Sequence, residues 1–276
     1  MRIMVTNDDG IDSIGLLVLA RALQPYGEVV IIAPDGEYSG ASSAIGAVHL
    51  LRPEVRRCSI DDVDEAWTVS GPPALCVLFA RLGAFGGPFD LVVAGINPGA
   101  NVGRSVYHSG TVGAALTARS GGVTGIAVSQ HADVGGVEGQ AWGDMLAHQC
   151  WDTAAAVAAT VVGAIAERPL AEPSVLNLNV PNTSVEAIKG WRRTTLAHAP
   201  MRAIDRLILE PKAGHESTYE VSFSWGEATE PPIDSDAGAV AAGYVSLTWL
   251  SRLHEVDPHD DDRAVAEGSL DQLLGT

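Results

Sequence analysis

The chain has 276 residues, of which 46% are hydrophobic and 18% are charged. A chain of this length and composition buries roughly three quarters of its unfolded surface, which excludes a disordered or collagen-like protein. Thirty-four acidic residues against seventeen basic ones give a formal net charge of −17. This charge argues against a partner such as duplex nucleic acid, because proteins that bind it present a basic surface to the phosphates.

The cysteines and the start of the chain indicate the compartment. Cys58, Cys76 and Cys150 form no CxxC pair, so the sequence favours neither a disulfide framework nor a zinc ribbon. No signal or transit peptide is recognisable at the start. The longest run of low polarity, residues 154–166, is shorter than the roughly 20 residues that span a bilayer. We therefore predict a cytoplasmic protein with no membrane segment.

Apolar runs rich in β-branched residues alternate with helical patterns through the first two thirds of the chain. The patterns predict strands at residues 2–6, 28–33, 91–94, 125–129 and 175–180, and helices at residues 15–23, 74–82, 111–120 and 145–167. Strands without polar alternation are typical of a parallel sheet that is covered on both faces. The order of elements therefore predicts an α/β fold with a doubly wound, mostly parallel sheet.

The pattern changes after Pro181. Short segments that are Thr-rich or aromatic and separated by Pro, Gly and Asp predict β-hairpins; they lie at residues 188–196, 207–210, 218–225 and 244–249. A short amphipathic helix is predicted at residues 263–274. We expect an α/β core over residues 1–182 and a β-hairpin extension over residues 183–276 that packs on the core and contacts other subunits.

Polar side chains follow three of the predicted strands. Asp8 and Asp9 follow the first strand, Ser39 follows the second, and Asn97 follows the strand at residues 91–94. The carboxyl ends of parallel strands meet at one edge of the sheet, so these loops should converge. Two carboxylates, a hydroxyl and an amide oxygen suit one hard divalent cation, Mg²⁺ or Mn²⁺. An Asp-Asp-Gly sequence after a strand is also typical of a simple turn or a helix cap.

A second set of residues has the character of a phosphate site. Ser109, Gly110 and Thr111 precede a predicted helix, and the N–H groups at a helix start bind phosphate oxygens. An ordinary Ser or Thr cap explains the same residues. Gly40 with its neighbouring serines could form a second cradle. The chain contains no GxGxxG after its first strand, no P-loop and no GxSxG elbow, which disfavours dinucleotide binding, P-loop ATP hydrolysis and lipase-type chemistry.

Several blocks of the sequence together resemble the SurE family of survival-protein nucleotidases. The blocks are residues 5–11 (VTNDDGI), 33–35 (APD), 39–43 (SGASS), 95–103 (GINPGANVG), 109–115 (SGTVGAA), 176–181 (LNLNVP) and 243–248 (GYVSLT). They occur in the family's order and extend over nearly the whole chain. The resemblance implies a Rossmann-like core whose hairpin and C-terminal extension exchange between the subunits of a homodimer or homotetramer.

The resemblance also implies an activity. Members of the family are metal-dependent phosphomonoesterases that act on 5′- and 3′-nucleoside monophosphates. By motif, the implied metal ligands are Asp8, Asp9, Ser39 and Asn97, and the implied catalytic residues are Asp8 and Asp9. The residues implied to face the phosphate are Gly40, Asn101, Ser109, Gly110 and Thr111.

The chain departs from the family pattern at Pro72, Leu75, His108 and Trp249, and none of these positions is a predicted metal ligand. Two other functions fit the residues. A nucleoside N-ribohydrolase also binds a divalent ion through Asp-rich loops, and a catalytically silent nucleotide-binding module would keep the pocket without turnover.

Overall fold

A computed structural model describes residues 1–132, 146–198, 204–227, 229–251, 267 and 272. The strands are β1 Arg2–Thr6, β2 Glu28–Pro34, β3 Val55–Ile60, β4 Val63–Val69, β5 Leu91–Pro98, β6 Thr124–Gln130, β7 Val175–Val180, β8 Trp191–Arg193, β9 Ile204–Pro211, β10 Tyr219–Trp225 and β11 Val245–Leu250. The helices are α1 Ile14–Leu23, α2 Val48–Leu51, α3 Pro73–Arg81, α4 Gly110–Ser120, α5 Trp151–Glu167 and α6 Asp236–Ala241. Short 3₁₀ turns lie at Gln24–Tyr26, Gly103–Tyr107 and Val185–Ala187.

Nine strands form one sheet in the order β3-β4-β2-β1-β5-β6-β7-β11-β8. The six strands from β4 to β7 run parallel, whereas β3 is antiparallel to β4 and β11 is antiparallel to β7. The predicted mostly parallel α/β sheet is therefore confirmed. Because β2, β1 and β5 are neighbours, the loops that follow them leave the same edge of the sheet side by side.

Both faces of the central strands are buried. In β1, Ile3 and Val5 pack in the core that contains α1 and α5, whereas Met4 packs in the core that contains α3 and α4. Successive side chains of a strand point to opposite faces, so each strand supplies both cores at once. This arrangement explains why the strands contain apolar residues without polar alternation. Among the described residues, no helix is long and apolar enough to cross a bilayer.

Two elements have different bounds in the structure from those that the sequence predicts: one strand ends later and one helix begins later. The strand predicted at residues 91–94 continues to Pro98, with a shift in its pairing to β6 between Ala94 and Asn97. Asn97 therefore lies in the strand and not in the loop after it. The long helix predicted from residue 145 begins as α5 only at Trp151, because the backbone N–H of Cys150 donates to Asn182 Oδ1 (2.8 Å). Residue 145 itself lies outside the described residues.

The strands after Pro181 are divided between two sheets. The predicted hairpin appears as β9 and β10, which pair with each other in a separate two-stranded sheet. The segment predicted at residues 244–249 is β11 and joins the main sheet, and the one predicted at 188–196 is reduced to the three residues of β8. The division at residue 182 stays a prediction. The predicted helix at residues 263–274 lies outside the described residues apart from Glu267 and Gln272.

The sequence patterns missed the hairpin of β3 and β4, and they missed α6. The residues of β3 are mostly exposed, so the strand has no continuous apolar run that could be recognised. Helix α6 has only six residues, which is too short for a helical period to show.

We predict that Leu19→Ala lowers the free energy of unfolding by about 2–5 kcal/mol, because the fully buried Leu19 side chain packs between α1 and the sheet. Chemical denaturation monitored by circular dichroism measures the change. Leu82→Ala is the matched control: Leu82 is 70% exposed, and its removal should change the free energy by less than about 0.5 kcal/mol. Equal losses in the two variants would contradict the assigned core.

Candidate functional site

The loops after β1 and β2 and the segment that leads from β5 into α4 contact one another at the carboxyl edge of the sheet. The backbone N–H of Tyr38 donates to the carbonyl oxygen of Asp8 (2.7 Å), and that of Ser42 donates to the carbonyl oxygen of His108 (3.1 Å). The hydroxyl of Thr111 donates to Asp8 Oδ1 (2.6 Å). These three bonds join segments that are far apart in the sequence.

Asp8 is almost fully buried at the end of β1. Burial raises the pKa of its carboxyl above the ordinary value, and the hydrogen bond from Thr111 opposes this rise. The other carboxylate oxygen, Oδ2, lies beside the start of α4: a Cβ atom on Gly110 would stand 2.7 Å from it. The absence of a side chain at position 110 therefore allows the helix to approach the carboxylate.

Asp9 has the most unusual environment in the site. Both of its carboxylate oxygens are shielded from solvent, and neither has a hydrogen-bond partner among the described residues. Burial, together with the nearby charges of Asp8 and Glu37, raises the pKa of Asp9 to about 8. A buried carboxylate without a partner is costly, and a bound cation removes that cost.

The other two predicted metal ligands have simpler surroundings. Ser39 is exposed, and its backbone N–H donates to Glu37 Oε1 (2.8 Å). The amide nitrogen of Asn97 donates to the carbonyl oxygen of Gly99 (2.7 Å), so the amide oxygen is the atom that a cation would contact. The atoms that these four residues offer to a metal ion are all oxygens, as a hard cation requires. The four residues therefore fit Mg²⁺ or Mn²⁺ in type.

Within the parts of the chain that the structure describes, no three His, Cys, Asp or Glu side chains form a metal-binding group. The predicted set contains only two residues of those types, so its remaining ligands must be hydroxyl and amide oxygens.

The residues predicted to bind phosphate, Ser109, Gly110 and Thr111, lie at the start of α4. Ser109 caps the helix, since its Oγ accepts from the backbone N–H of Val112 (3.1 Å). A hydroxyl that accepts one hydrogen bond keeps its own proton for a second. Thr111 uses its hydroxyl on Asp8, and its backbone N–H also interacts with that carboxyl, so a phosphate at this helix start would meet the backbone N–H of Gly110 and not the Thr111 hydroxyl.

Gly40 belongs to a loop that packs against the first turn of α4. The loop turns at Gly40, whose φ is +80°, and at Ser42, whose φ is +53°. A Cβ atom on Gly113 would stand only 2.1 Å from the carbonyl oxygen of Ser42. The structure thus brings the predicted second cradle next to the α4 turn that follows Ser109.

Asn101 is held by a buried network that the sequence analysis did not assign. Its backbone N–H donates to Asn179 Oδ1 (2.8 Å), and its carbonyl oxygen accepts from Nδ2 of Asn177 (2.8 Å) and of Asn179 (3.1 Å). Its own Nδ2 donates to Ser129 Oγ (2.8 Å). A signal for this network exists in the sequence: Asn177 and Asn179 alternate with leucines in a strand that should be apolar on both faces.

The sequence is similar to those of proteins whose family is known. The family profile described as Survival protein SurE matches residues 3–203. The 5′/3′-nucleotidase SurE of Cronobacter sakazakii is 36% identical over 251 residues, which cover 91% of this chain and 90% of the relative. The 5′-nucleotidase SurE of Acinetobacter baylyi is 38% identical over 259 residues, which cover 90% of this chain and 92% of the relative.

A solved structure extends the likeness to the fold. The crystal structure of the SurE protein from Aquifex aeolicus matches with a TM-score of 0.70 and 29% identity, and the match covers 99% of this chain and 100% of that one. The family profile and the relatives agree over most of the chain, and the chain therefore belongs to the SurE family.

Proposed function

We propose that this protein is a divalent-metal-dependent phosphomonoesterase that hydrolyses nucleoside 5′-monophosphates and 3′-monophosphates. The names of the relatives, 5′-nucleotidase and 5′/3′-nucleotidase, support the substrate class. The observation that carries the proposal is the buried pair Asp8 and Asp9 beside the start of α4, where neither oxygen of Asp9 has a partner among the residues that the structure describes.

The cation would be held by Asp8, Asp9, Ser39 and Asn97. When bound, it lowers the pKa of a water molecule and neutralises charge on the phosphoryl oxygens. The protein supplies the remaining steps from its own residues. The N–H groups at the start of α4 hold the phosphoryl group, and the Thr111 hydroxyl fixes the orientation of the Asp8 carboxylate. A carboxylate oxygen of Asp8 or Asp9 that is free of the cation accepts the proton of the attacking water.

We predict that Asp9→Asn lowers kcat/KM for nucleoside monophosphates by about 100-fold or more, because several kcal/mol of transition-state stabilisation depend on the cation. Release of inorganic phosphate from a panel of nucleotides with Mg²⁺, with Mn²⁺ and with EDTA measures the effect. Asp12→Asn is the matched control, since Asp12 is exposed and only three residues away; it should keep the wild-type rate.

Three results, from that assay and from parallel assays of base release and nucleotide binding, would count against the proposal. A near-normal rate in Asp9→Asn would defeat the assignment of this residue. Release of free base from a nucleoside without phosphate would indicate an N-ribohydrolase. Nucleotide binding without any turnover in the wild-type protein would indicate a silent binding module.

The stability of the cation-free protein should depend on pH through Asp9. Its pKa is about 8 in the folded state against an ordinary value of 3.8. Between these values the folded protein keeps a proton that the unfolded chain has released, so stability falls as the pH rises toward 8. We expect the Tm in EDTA to fall between about pH 5 and pH 8 and Asp9→Asn to make this fall smaller; part of it remains, because burial also raises the pKa of Asp8.

Added Mn²⁺ should raise the Tm more at the upper end of this pH range, because the cation binds the ionised carboxylate. Thermal unfolding followed by circular dichroism measures both effects. A Tm that rises with pH in EDTA would contradict the raised pKa.

We also propose that the protein is a homodimer or homotetramer that associates through the hairpin of β9 and β10. Alternate residues place Leu207, Leu209, Tyr219 and Val221 on one face of this hairpin, and each is more than half exposed. A two-stranded hairpin alone is marginally stable in water, so its apolar face needs a cover. A second copy of the chain supplies one.

Leu209→Glu should reduce the molar mass in solution, because it places a charge on the apolar face of the hairpin. Ser222→Glu is the control on the opposite, mainly polar face, where Ser222 Oγ already donates to Glu210 (3.1 Å). Light scattering after size-exclusion chromatography distinguishes the species. A wild-type protein that elutes as a monomer, or a Leu209→Glu variant with unchanged mass, would contradict the proposal.

A further inference from the structure

The carboxylate of Asp236 lies fully buried at the start of α6 and accepts three backbone hydrogen bonds. Oδ2 accepts from Gly103 N (2.8 Å), and Oδ1 accepts from Ala197 N (2.9 Å) and from Ala237 N (2.8 Å). Only the last of these bonds belongs to the helix itself. The other two come from segments 133 and 39 residues away in the sequence, so one carboxylate joins three parts of the chain.

Gly103 belongs to the segment that connects Asn97 to the start of α4. It has a φ of +53°, and a Cβ atom added to it would stand 2.7 Å from the carbonyl oxygen of Ala197. The segment therefore lies directly against Ala197, at a distance that only glycine allows. From Gly103 a 3₁₀ turn leads to Ser109, whose N–H donates to the carbonyl oxygen of Ser105 (3.0 Å).

The hydrogen bond from Gly103 N to Asp236 is one of two contacts that fix the segment between Asn97 and the start of α4. On one side, the asparagines of β7 hold Asn101. Two residues further on, Asp236 holds Gly103 from the C-terminal part of the chain. The path from the predicted metal ligand Asn97 to the N–H groups of α4 is thus fixed at two neighbouring points, and both supports lie outside the path itself.

Asp236 also closes the base of the hairpin arm, the segment at residues 198–235 that contains β9 and β10. The bond from Ala197 N lies at the point where the arm leaves. The backbone N–H of Asp236 donates to the carbonyl oxygen of Thr195 (2.8 Å), and Thr195 N donates to the carbonyl oxygen of Asp234 (3.1 Å). The side chain that holds Gly103 therefore stands where the arm returns to the core.

We propose that Asp236 is a positioning residue for phosphate binding. It acts through Gly103 and the 3₁₀ turn, which place the start of α4 relative to the bound phosphoryl group. The inference rests on the proposed function, because it assigns the start of α4 as the phosphate site. Asp236 itself touches neither the substrate nor the predicted metal ligands.

Asp236→Asn tests the proposal because it changes one acceptor oxygen into a donor while the side chain keeps its shape. An NH₂ group then faces a backbone N–H, and the segment at Gly103 must shift. We expect KM for a nucleoside monophosphate and Ki for inorganic phosphate to rise together, on the order of 10- to 100-fold, as misplaced binding groups require. The Kd for Mn²⁺, measured by titration without substrate, should stay at the wild-type value.

Ser235→Ala is the matched control. Ser235 is buried beside Asp236 and caps the same helix, with Oγ accepting from Gly238 N (3.2 Å), but it makes no bond to Gly103. It should leave KM, the phosphate Ki and the Mn²⁺ Kd unchanged. An equal rise of KM and Ki in both variants would show that the stability of α6 alone matters, and this result would overturn the proposal.

Gly103→Ala changes the other partner of the hydrogen bond between Gly103 and Asp236. It tests the proposal if Asp236→Asn does not fold. Its added methyl meets the carbonyl oxygen of Ala197, so KM and the phosphate Ki should rise while the Mn²⁺ Kd stays constant. Unchanged KM and Ki in a folded Asp236→Asn or Gly103→Ala variant would overturn the inference. A wild-type protein that releases no phosphate would instead overturn the proposed function, and direct titration with inorganic phosphate would still test the role of Asp236.

Discussion

The burial of two adjacent carboxylates at the end of the central strand β1 is the constraint that organises this part of the protein. An ionised carboxylate out of water needs hydrogen-bond donors or a cation. Asp8 obtains a donor from Thr111, and it does so because Gly110 lets α4 approach closely. Asp9 obtains no donor from the described residues. This difference within one pair is the physical basis of the proposed cation site.

The support of the site comes from parts of the chain that contribute no predicted ligand. Two asparagines in β7 hold the backbone of Asn101, and Asp236 in α6 holds Gly103. These groups are buried, and most buried polar groups in proteins are paired. The network therefore specifies one arrangement of the segment between β5 and α4, and it connects that segment to the base of the hairpin arm. The Asp236 carboxylate makes this connection, because it accepts hydrogen bonds from Gly103 N and from Ala197 N.

The sequence patterns predicted the parallel core well because its strands are buried on both faces. Continuous apolar runs such as that of β1 leave a clear signal. The signal was weaker where burial is partial: β3 is mostly exposed, and β8 has only three residues. The place of residues 244–249 in the main sheet was not predicted, for a different reason. Local patterning identifies a strand, but the choice of partner depends on which edge of the sheet remains open, and β11 pairs with β7.

For the candidate site, too, the sequence patterns predicted some features and missed others. Residue types and their positions near the ends of neighbouring strands led to the prediction of Asp8, Asp9, Ser39 and Asn97 as ligands, because parallel topology places the ends of such strands together. No local pattern assigns the bonds of Asn101 to Asn179, 78 residues away, or of Gly103 to Asp236, 133 residues away. Such partners are selected by the close packing of buried segments, where an unpaired polar group is costly, and only the folded chain shows which groups meet.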